Sequence, residues 1–301
     1  MSTSFESVRL LICDPSQMVR SALKGALFAQ SFRTINDTAG FVKLHDMLAQ
    51  DAVDLVVAAQ QLEHHDIGYL VQEMRHQRVG TNPFVVIIML LSNSDPDNVR
   101  KAIDSGADDL LLLPVAPAAL MTRINNILQN RKPFIVTHDY IGPDRRSKAR
   151  PGQQAAPILP VPNPIKARVE DGLDGTRFER HVKDAAAALN RMKIERHAVQ
   201  VDWLASHICA GIRDGTDDGP KVAAYASRLA LTAEDILVRI KGTPAEAHFG
   251  TVADLREAAQ MAEVQTNRLN AAALQKLHDL SKAVLRQLGG GAAAAPIRPP
   301  G

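Results

Sequence analysis

The stretch Val53-Asp54-Leu55-Val56-Val57-Ala58-Ala59-Gln60 is apolar at nearly every position, and a run this short and continuous reads as a strand covered on both faces. A sheet with one wet face would alternate apolar and polar residues. A strand of this kind belongs in a parallel sheet, so the flanking sequence has to supply helices for both faces and more buried strands. Residues 8–13, 32–35, 84–91 and 110–113 are short apolar runs that serve as the other strands. Between them, residues 18–28, 41–48 and 67–74 carry apolar side chains at helical spacing. A fourth helix opens at Asp95-Pro96 and closes at Gly106, and a fifth runs from Pro117 to about residue 129. Asp14-Pro15-Ser16 breaks the first strand and offers a cap for the first helix, and residues 60–66 read as a polar loop. Strands alternating with helices in this way define an α/β, doubly wound, five-stranded parallel sheet in the order 2-1-3-4-5, with functional groups at the carboxyl ends of the strands. Those ends are Cys13-Asp14, Ala59-Gln60, Leu91-Ser92 and Leu113-Pro114.

The pattern changes after residue 130. Residues 131–173 read as a basic extension, with Arg145, Arg146, Lys148 and Arg150, followed by a proline-rich linker at 152–164 that favours extended spacing over a packed fold. Residues 174–288 are helical in pattern, over 178–192, 198–212, 222–240, 252–264 and 269–288. Leu269, Ala273, Leu277, Leu280, Val284 and Leu288 form a narrow stripe suited to packing in a helical bundle. Residues 289–301, rich in glycine, alanine and proline, read as a disordered tail.

At 301 residues the chain has room for two domains of ordinary size, residues 1–130 and 174–288. A net charge of +2 gives no reason to invoke a nucleic-acid partner. No apolar run reaches membrane-spanning length, and the first residues lack a basic segment followed by an apolar one, so the expectation is a cytoplasmic protein. Cys13 and Cys209 are far apart in sequence and without metal-binding spacing, which reads as two reduced core thiols. His64-His65-Asp66 falls short of a metal ligand set, and phosphate-loop, dinucleotide, zinc-protease, hydrolase and kinase motifs are all missing. The expectation is therefore no enzyme, no cofactor and no metal.

Residues 95–115, Asp95-Pro96-Asp97-Asn98-Val99-Arg100-Lys101-Ala102-Ile103-Asp104-Ser105-Gly106-Ala107-Asp108-Asp109-Leu110-Leu111-Leu112-Leu113-Pro114-Val115, closely resemble the fourth helix and fifth strand of response-regulator receiver domains. Residues 11–20 and Asp54-Leu55-Val56-Val57 resemble the first and third strands of that family, so the resemblance covers about residues 5–130. It implies a phosphoryl-accepting aspartate at the end of strand three, Mg2+ held with an acidic pair after strand one, a hydroxyl after strand four and a lysine after strand five. Each part has a physical role: carboxylate nucleophile, hard cation on oxygen ligands, and donors aimed at developing charge.

Carried over residue by residue, those parts are nearly all replaced. The phosphoacceptor position falls on Ala59 counted from Asp54, or on Gln60 counted back from Gly68. Cys13 replaces one member of the acidic pair and Asp14 remains. Leu91 takes the hydroxyl position, or Ser92 if the register slips by one, and Leu113 replaces the lysine. Glu63 and Asp66 read as solvated loop acids.

The expectation is a degenerate receiver that docks proteins, through a fourth-helix, fifth-strand and fifth-helix face represented by Val99, Arg100, Ile103, Ala118 and Arg123. Its partners would be a histidine kinase, a response regulator or a phosphotransfer protein, or a second copy in a homodimer, with nucleic acid and membrane disfavoured. The alternatives are a phosphohistidine in the helical domain, at His181 or His278, and nucleic-acid or membrane binding through residues 145–150.

Overall fold

The computed structural model describes residues 4–50, 52–146, 157–170, 175–216, 219–266 and 269–290. By contact the chain divides into two units, Met1–Leu189 and Asn190–Gly301.

The first unit opens with β1 (Arg9–Cys13), α1 (Gln17–Ala29), β2 (Thr34–Thr38), α2 (Phe41–Ala49) and β3 (Leu55–Ala59). Two short strands, β4 (Gln61–Leu62) and β5 (His65–Asp66), pair as a hairpin before α3 (Ile67–Arg75). The alternation then resumes with β6 (Val86–Leu91), α4 (Pro96–Asp104), β7 (Asp109–Leu112) and α5 (Pro117–Asn130). The five-stranded parallel sheet runs β2-β1-β3-β6-β7, the doubly wound order. Every residue of β3 and β6 is buried, as their unbroken apolar runs require.

Local chemistry sets the helix starts. The Val19 amide donates to Ser16 Oγ at 3.4 Å, the Gly68 amide to Asp66 Oδ1 at 2.8 Å, and the Asn98 amide to Asp95 Oδ2 at 3.2 Å with Pro96 in the first turn. One core layer, under α2, α3 and α4, holds Leu11, Val56, Val71, Ile87 and Met89. The other, under α1 and α5, holds Leu10, Val57, Ile88, Leu23 and Ile124.

The segment after α5 is not the free extension and linker that its composition suggests. Strands β8 (Phe134–Val136), β9 (Ile141–Pro143) and β10 (Ile158–Leu159) form a second sheet in the order β10-β8-β9, and α6 (Pro164–Val169) follows. Phe134, Val136, Ile141 and Ile165 are buried, and Ile165 joins the α1/α5 core layer. Burial of these side chains outweighs the extended bias of the prolines around them.

A buried ion-pair centre fastens this segment. Asp108 accepts from Arg75 Nη2 at 2.9 Å and from Arg131 Nε at 3.0 Å, and the Ile87 amide adds a third bond at 2.9 Å. Both guanidiniums lie over the Phe134 ring, at 4.9 and 5.4 Å from its centroid. Burial lowers the Arg75 pKa to about 10, against the opposing pull of Asp108, so Arg75 stays charged at neutral pH. Beside it Gly106, with φ +85°, sits so close to β9 that an added Cβ would strike the Ile141 carbonyl oxygen. A second clamp joins Asp54, fully buried, to Arg9 Nη2 at 2.7 Å and to Arg168 of α6 at 3.2 Å.

The helix predicted over 178–192 and the one over 198–212 are one element, α7 (Gly175–Asp214). No glycine or proline separates Met192 from Ala198, so nothing stops the helix there. The division between the two units falls inside it. The second unit continues with α8 (Gly219–Ile240), a 3-10 turn at Pro244–His248, α9 (Phe249–Val264) and α10 (Ala271–Leu288). Its own core contains Leu204, Ile208, Leu229, Ile236, Leu255, Leu277 and Val284. Of the tail, Gly289 and Gly290 are described and residues 291–301 lie outside the described residues.

Candidate functional site

At the carboxyl ends of β1, β3 and β6, the side chains of Cys13, Ala59 and Leu91 share one apolar cluster with Leu62 and Ile67. Leu113 is not part of it. It follows β7 and packs with the opposite layer, under α1 and α5, while its amide donates to the Leu91 carbonyl at 2.8 Å. Gln60 is buried, and its backbone links β6 to α3: its amide donates to Leu90 at 3.0 Å and its carbonyl accepts from Ile67 at 2.9 Å. Ser92 is exposed beyond the end of β6.

Where the sequence suggests a polar loop at 60–66, the chain folds into the β4–β5 hairpin and turns Leu62 inward to complete burial. Periodicity cannot register a hairpin this short, but Leu62 as the lone aliphatic residue in a polar stretch is the signal that was there. Glu63, at φ 55°, occupies the tip, and the His65 ring stacks on Phe41 with centroids 4.0 Å apart. Glu63 is half-exposed, and Asp66 is used as the cap of α3.

Asp14 is buried, and only half of its carboxylate is satisfied. Oδ1 accepts from the Ser16 amide at 2.8 Å, and Oδ2 has no hydrogen-bond partner. Burial pushes its carboxyl upward from the ordinary value, and pushes the neighbouring Cys13 thiol far upward, so that thiol stays protonated and inert. A hard divalent cation takes about six oxygen ligands. Here Asp14 stands beside a thiol and an alanine, so these residues do not fit Mg2+. Among the described residues no group of three or more His, Cys, Asp or Glu side chains is arranged to hold a metal ion.

On the face formed by α4, β7 and α5, Arg100 and Arg123 are exposed, while Val99 and Ile103 are half-buried and Val99 packs against the core below. Arg123 Nε lies 3.6 Å from Asp109 of β7. Ala118 is exposed on a different side of α5, where it lines a groove against α1 with Leu23, Ala26 and Met121. The structure therefore does not bring all five candidate docking residues together.

The described part of the basic extension is only partly absorbed into the fold. Arg145 donates to the Ala107 carbonyl at 2.7 Å, and Arg146 pairs with Asp144 at 2.8 Å, holding the Asp144 carboxyl below its usual range. Arg145 is thereby tied to the fold, whereas Arg146 is exposed; Lys148 and Arg150 lie outside the described residues. Of the two candidate phosphohistidines, His181 is exposed on α7 and His278 is half-buried on α10. Both cysteines are free and buried.

Sequence reasoning passed over Arg75, Asp108 and Arg131. Arg75 falls one turn after Val71 on the inward side of α3, a cation on an apolar face that signals a buried partner.

A doubly wound sheet in this order, with its crevice at the strand ends, is the flavodoxin-like architecture of signalling receivers. Residues 10–125 match the family described as Response regulator receiver domain. Similar curated proteins include Response regulator MprA of Mycobacterium tuberculosis, 28% identical over 127 residues that make up 42% of this chain and 53% of that protein. MprA of Mycobacterium bovis is 27% identical over the same shares. The chain spans about half the length of the curated relatives it matches. Among solved structures, a CheY-like receiver domain protein from Methanospirillum hungatei is 19% identical, covering 41% of this chain and 95% of that one with a TM-score of 0.37. The signal receiver domain of an HD domain-containing protein from Pseudomonas fluorescens is 22% identical, covering 41% and 96%, with a TM-score of 0.37. No helix among the described residues is long and apolar enough to cross a membrane.

Proposed function

We propose that this protein is a non-catalytic signalling adaptor in which a receiver domain that takes up no phosphate docks a protein partner of a two-component pathway. The observation that carries this reading is the apolar closure of the crevice: Cys13, Ala59 and Leu91 pack together with Leu62 in one buried cluster. Phosphoryl transfer needs a carboxylate nucleophile and positive charge on the phosphate oxygens. Ala59, Leu113 and the half-satisfied Asp14 supply neither. What such a domain retains is surface, and the exposed Arg100 and Arg123 with Leu112 on β7 offer a docking face of mixed charge and apolar character. Engagement of Arg145 with the Ala107 carbonyl, and of Arg146 with the neighbouring Asp144, leaves less free positive charge for nucleic acid or lipid and favours a protein partner.

The test is incubation of the full chain with acetyl phosphate and Mg2+, followed by intact mass and peptide mapping. The expected result is no phosphate adduct within residues 1–130 and no Mg2+-dependent change in circular dichroism. A phosphorylated peptide from that region would overturn the reading.

A further inference from the structure

On α8, Ala224, Ser227, Leu231, Glu234 and Val238 recur at alternating spacings of three and four, the spacing of a helix-packing seam, yet they lie on the outer side of the helix. Leu231 is 71% exposed and Val238 58%. The neighbouring helix repeats the arrangement: Gly250, Ala253, Glu257, Gln260 and Val264 of α9 follow the same spacing, and Val264 is 82% exposed. The inner side of this hairpin is a separate set, with Leu229, Ala233, Ile236, Leu255 and Ala259 in the core of the unit. Exposed apolar side chains grouped along one helix pair mark a surface that another molecule covers.

The charges on this surface point to what covers it. The two helices are antiparallel, joined through the turn at Pro244–His248, and Arg256 Nη1 donates to Glu234 Oε2 at 2.7 Å across them. Apart from that pair, the charged side chains on the accessible sides of α8 are basic, Lys221, Arg228 and the adjoining Lys241, since Asp235 and Arg239 turn to each other at 2.8 Å. Those of α9 are all acidic, Asp254, Glu257 and Glu263. We propose that this face is the interface of a homodimer, in which a two-fold axis along the hairpin lays α8 of each copy on α9 of the other. Basic α8 then meets acidic α9 twice, once on either side of the axis. A foreign partner would have to bring both signs side by side in this order, whereas a second copy brings them by symmetry.

The Glu234–Arg256 pair fixes the register. With those two residues level in antiparallel helices, each step along α8 is matched by an equal step back along α9. Leu231 of one copy is then level with Gln260 of the other, Ser227 with Val264, and Val238 with Ala253. Leu231 and the two valines each face a smaller or unbranched side chain, as interdigitating layers require. At the axis Glu234 of each copy lies over Arg256 of the other, so the pair meets its own counterpart with opposite charges in register. This surface lies wholly in the helical unit, and it stands apart from whether the receiver crevice takes phosphate.

The experiment is sedimentation equilibrium of the full chain at concentrations up to about 100 μM, with a short bismaleimide cross-linker to read orientation. The expected result is a dimer whose dissociation constant rises about tenfold or more in Leu231→Glu and in Val264→Lys, each of which removes an apolar contact and adds the charge already carried by the opposing helix. Leu112→Glu, on the receiver face, should leave it unchanged. Leu231 and Val264 are exposed, so both charge variants should fold, which circular dichroism checks. Copies carrying Leu231→Cys mixed with copies carrying Gln260→Cys should cross-link in higher yield than either alone, the natural Cys13 and Cys209 being buried. A chain that stays monomeric over this range, a dimer indifferent to either charge substitution, one weakened as much by Leu112→Glu, or a mixed yield no higher than the single-variant yields, overturns the proposal.

Discussion

Asp108 is the residue on which the first unit depends most visibly. It is nearly inaccessible, receives two guanidiniums and an amide, and has nowhere to send its charge if they are removed. Breaking one side of a buried ion pair costs about 3–5 kcal/mol because the other side is left desolvated. Asp108→Ala strands both Arg75 and Arg131 and should lower stability by at least that amount, read as a fall in the urea midpoint followed by far-UV circular dichroism. Gly142→Ala should also destabilise, since a Cβ there would meet the Gly106 Cα at 2.7 Å. Neither residue carries a pattern that singles it out. A sequence shows which positions are apolar, and it does not show which polar groups meet across 20 or more residues of chain.

Strands and helices of the receiver were legible because their signals are local. The apolar runs at 53–59 and 84–91 and the caps at Ser16 and Asp95 act within a few residues of where they are read, and the ladders and helices stand there with ends displaced by a residue or two. The candidate site was legible only in part. Cys13, Ala59 and Leu91, each at the end of a neighbouring strand, belong to one buried cluster, whereas Leu113, just past β7, packs with the other layer. The segment after α5 was misread because proline content reports local stiffness, while its burial is decided by Phe134, Val136, Ile141 and Ile165, few and scattered. A fragment ending at residue 130 should accordingly be less stable than one ending at residue 170 and should bind an apolar dye such as ANS more strongly; equal midpoints and equal dye emission would contradict the packing described for β8, β9 and α6.

Each unit of the whole molecule has a hydrophobic core of its own, which leads us to expect two unfolding transitions. The single tryptophan, Trp203, lies in the second unit, so its emission reports that unit while circular dichroism reports both. Asp108→Ala should move one circular-dichroism transition and leave the tryptophan transition where it was. A parallel shift of both would show that the units unfold as one. Cys13 and Cys209, buried thiols in different units, should each become reactive to a thiol reagent only as its own unit opens.

On the reading proposed above, the inward turn of Leu62 bears on what it would take to bring phosphoryl chemistry to this crevice. Ala59→Asp, the shortest route back to an acidic side chain at the end of β3, would set a carboxyl in the same apolar cluster as Cys13, Leu62 and Leu91. Buried there without a cation, that carboxyl would hold its proton and weaken the fold before it could act as a nucleophile. On that reading, phosphoryl chemistry would require the hairpin to lift and charged partners to arrive together, and each single substitution toward it should destabilise the fold. The buried cluster would then resist such a change one substitution at a time.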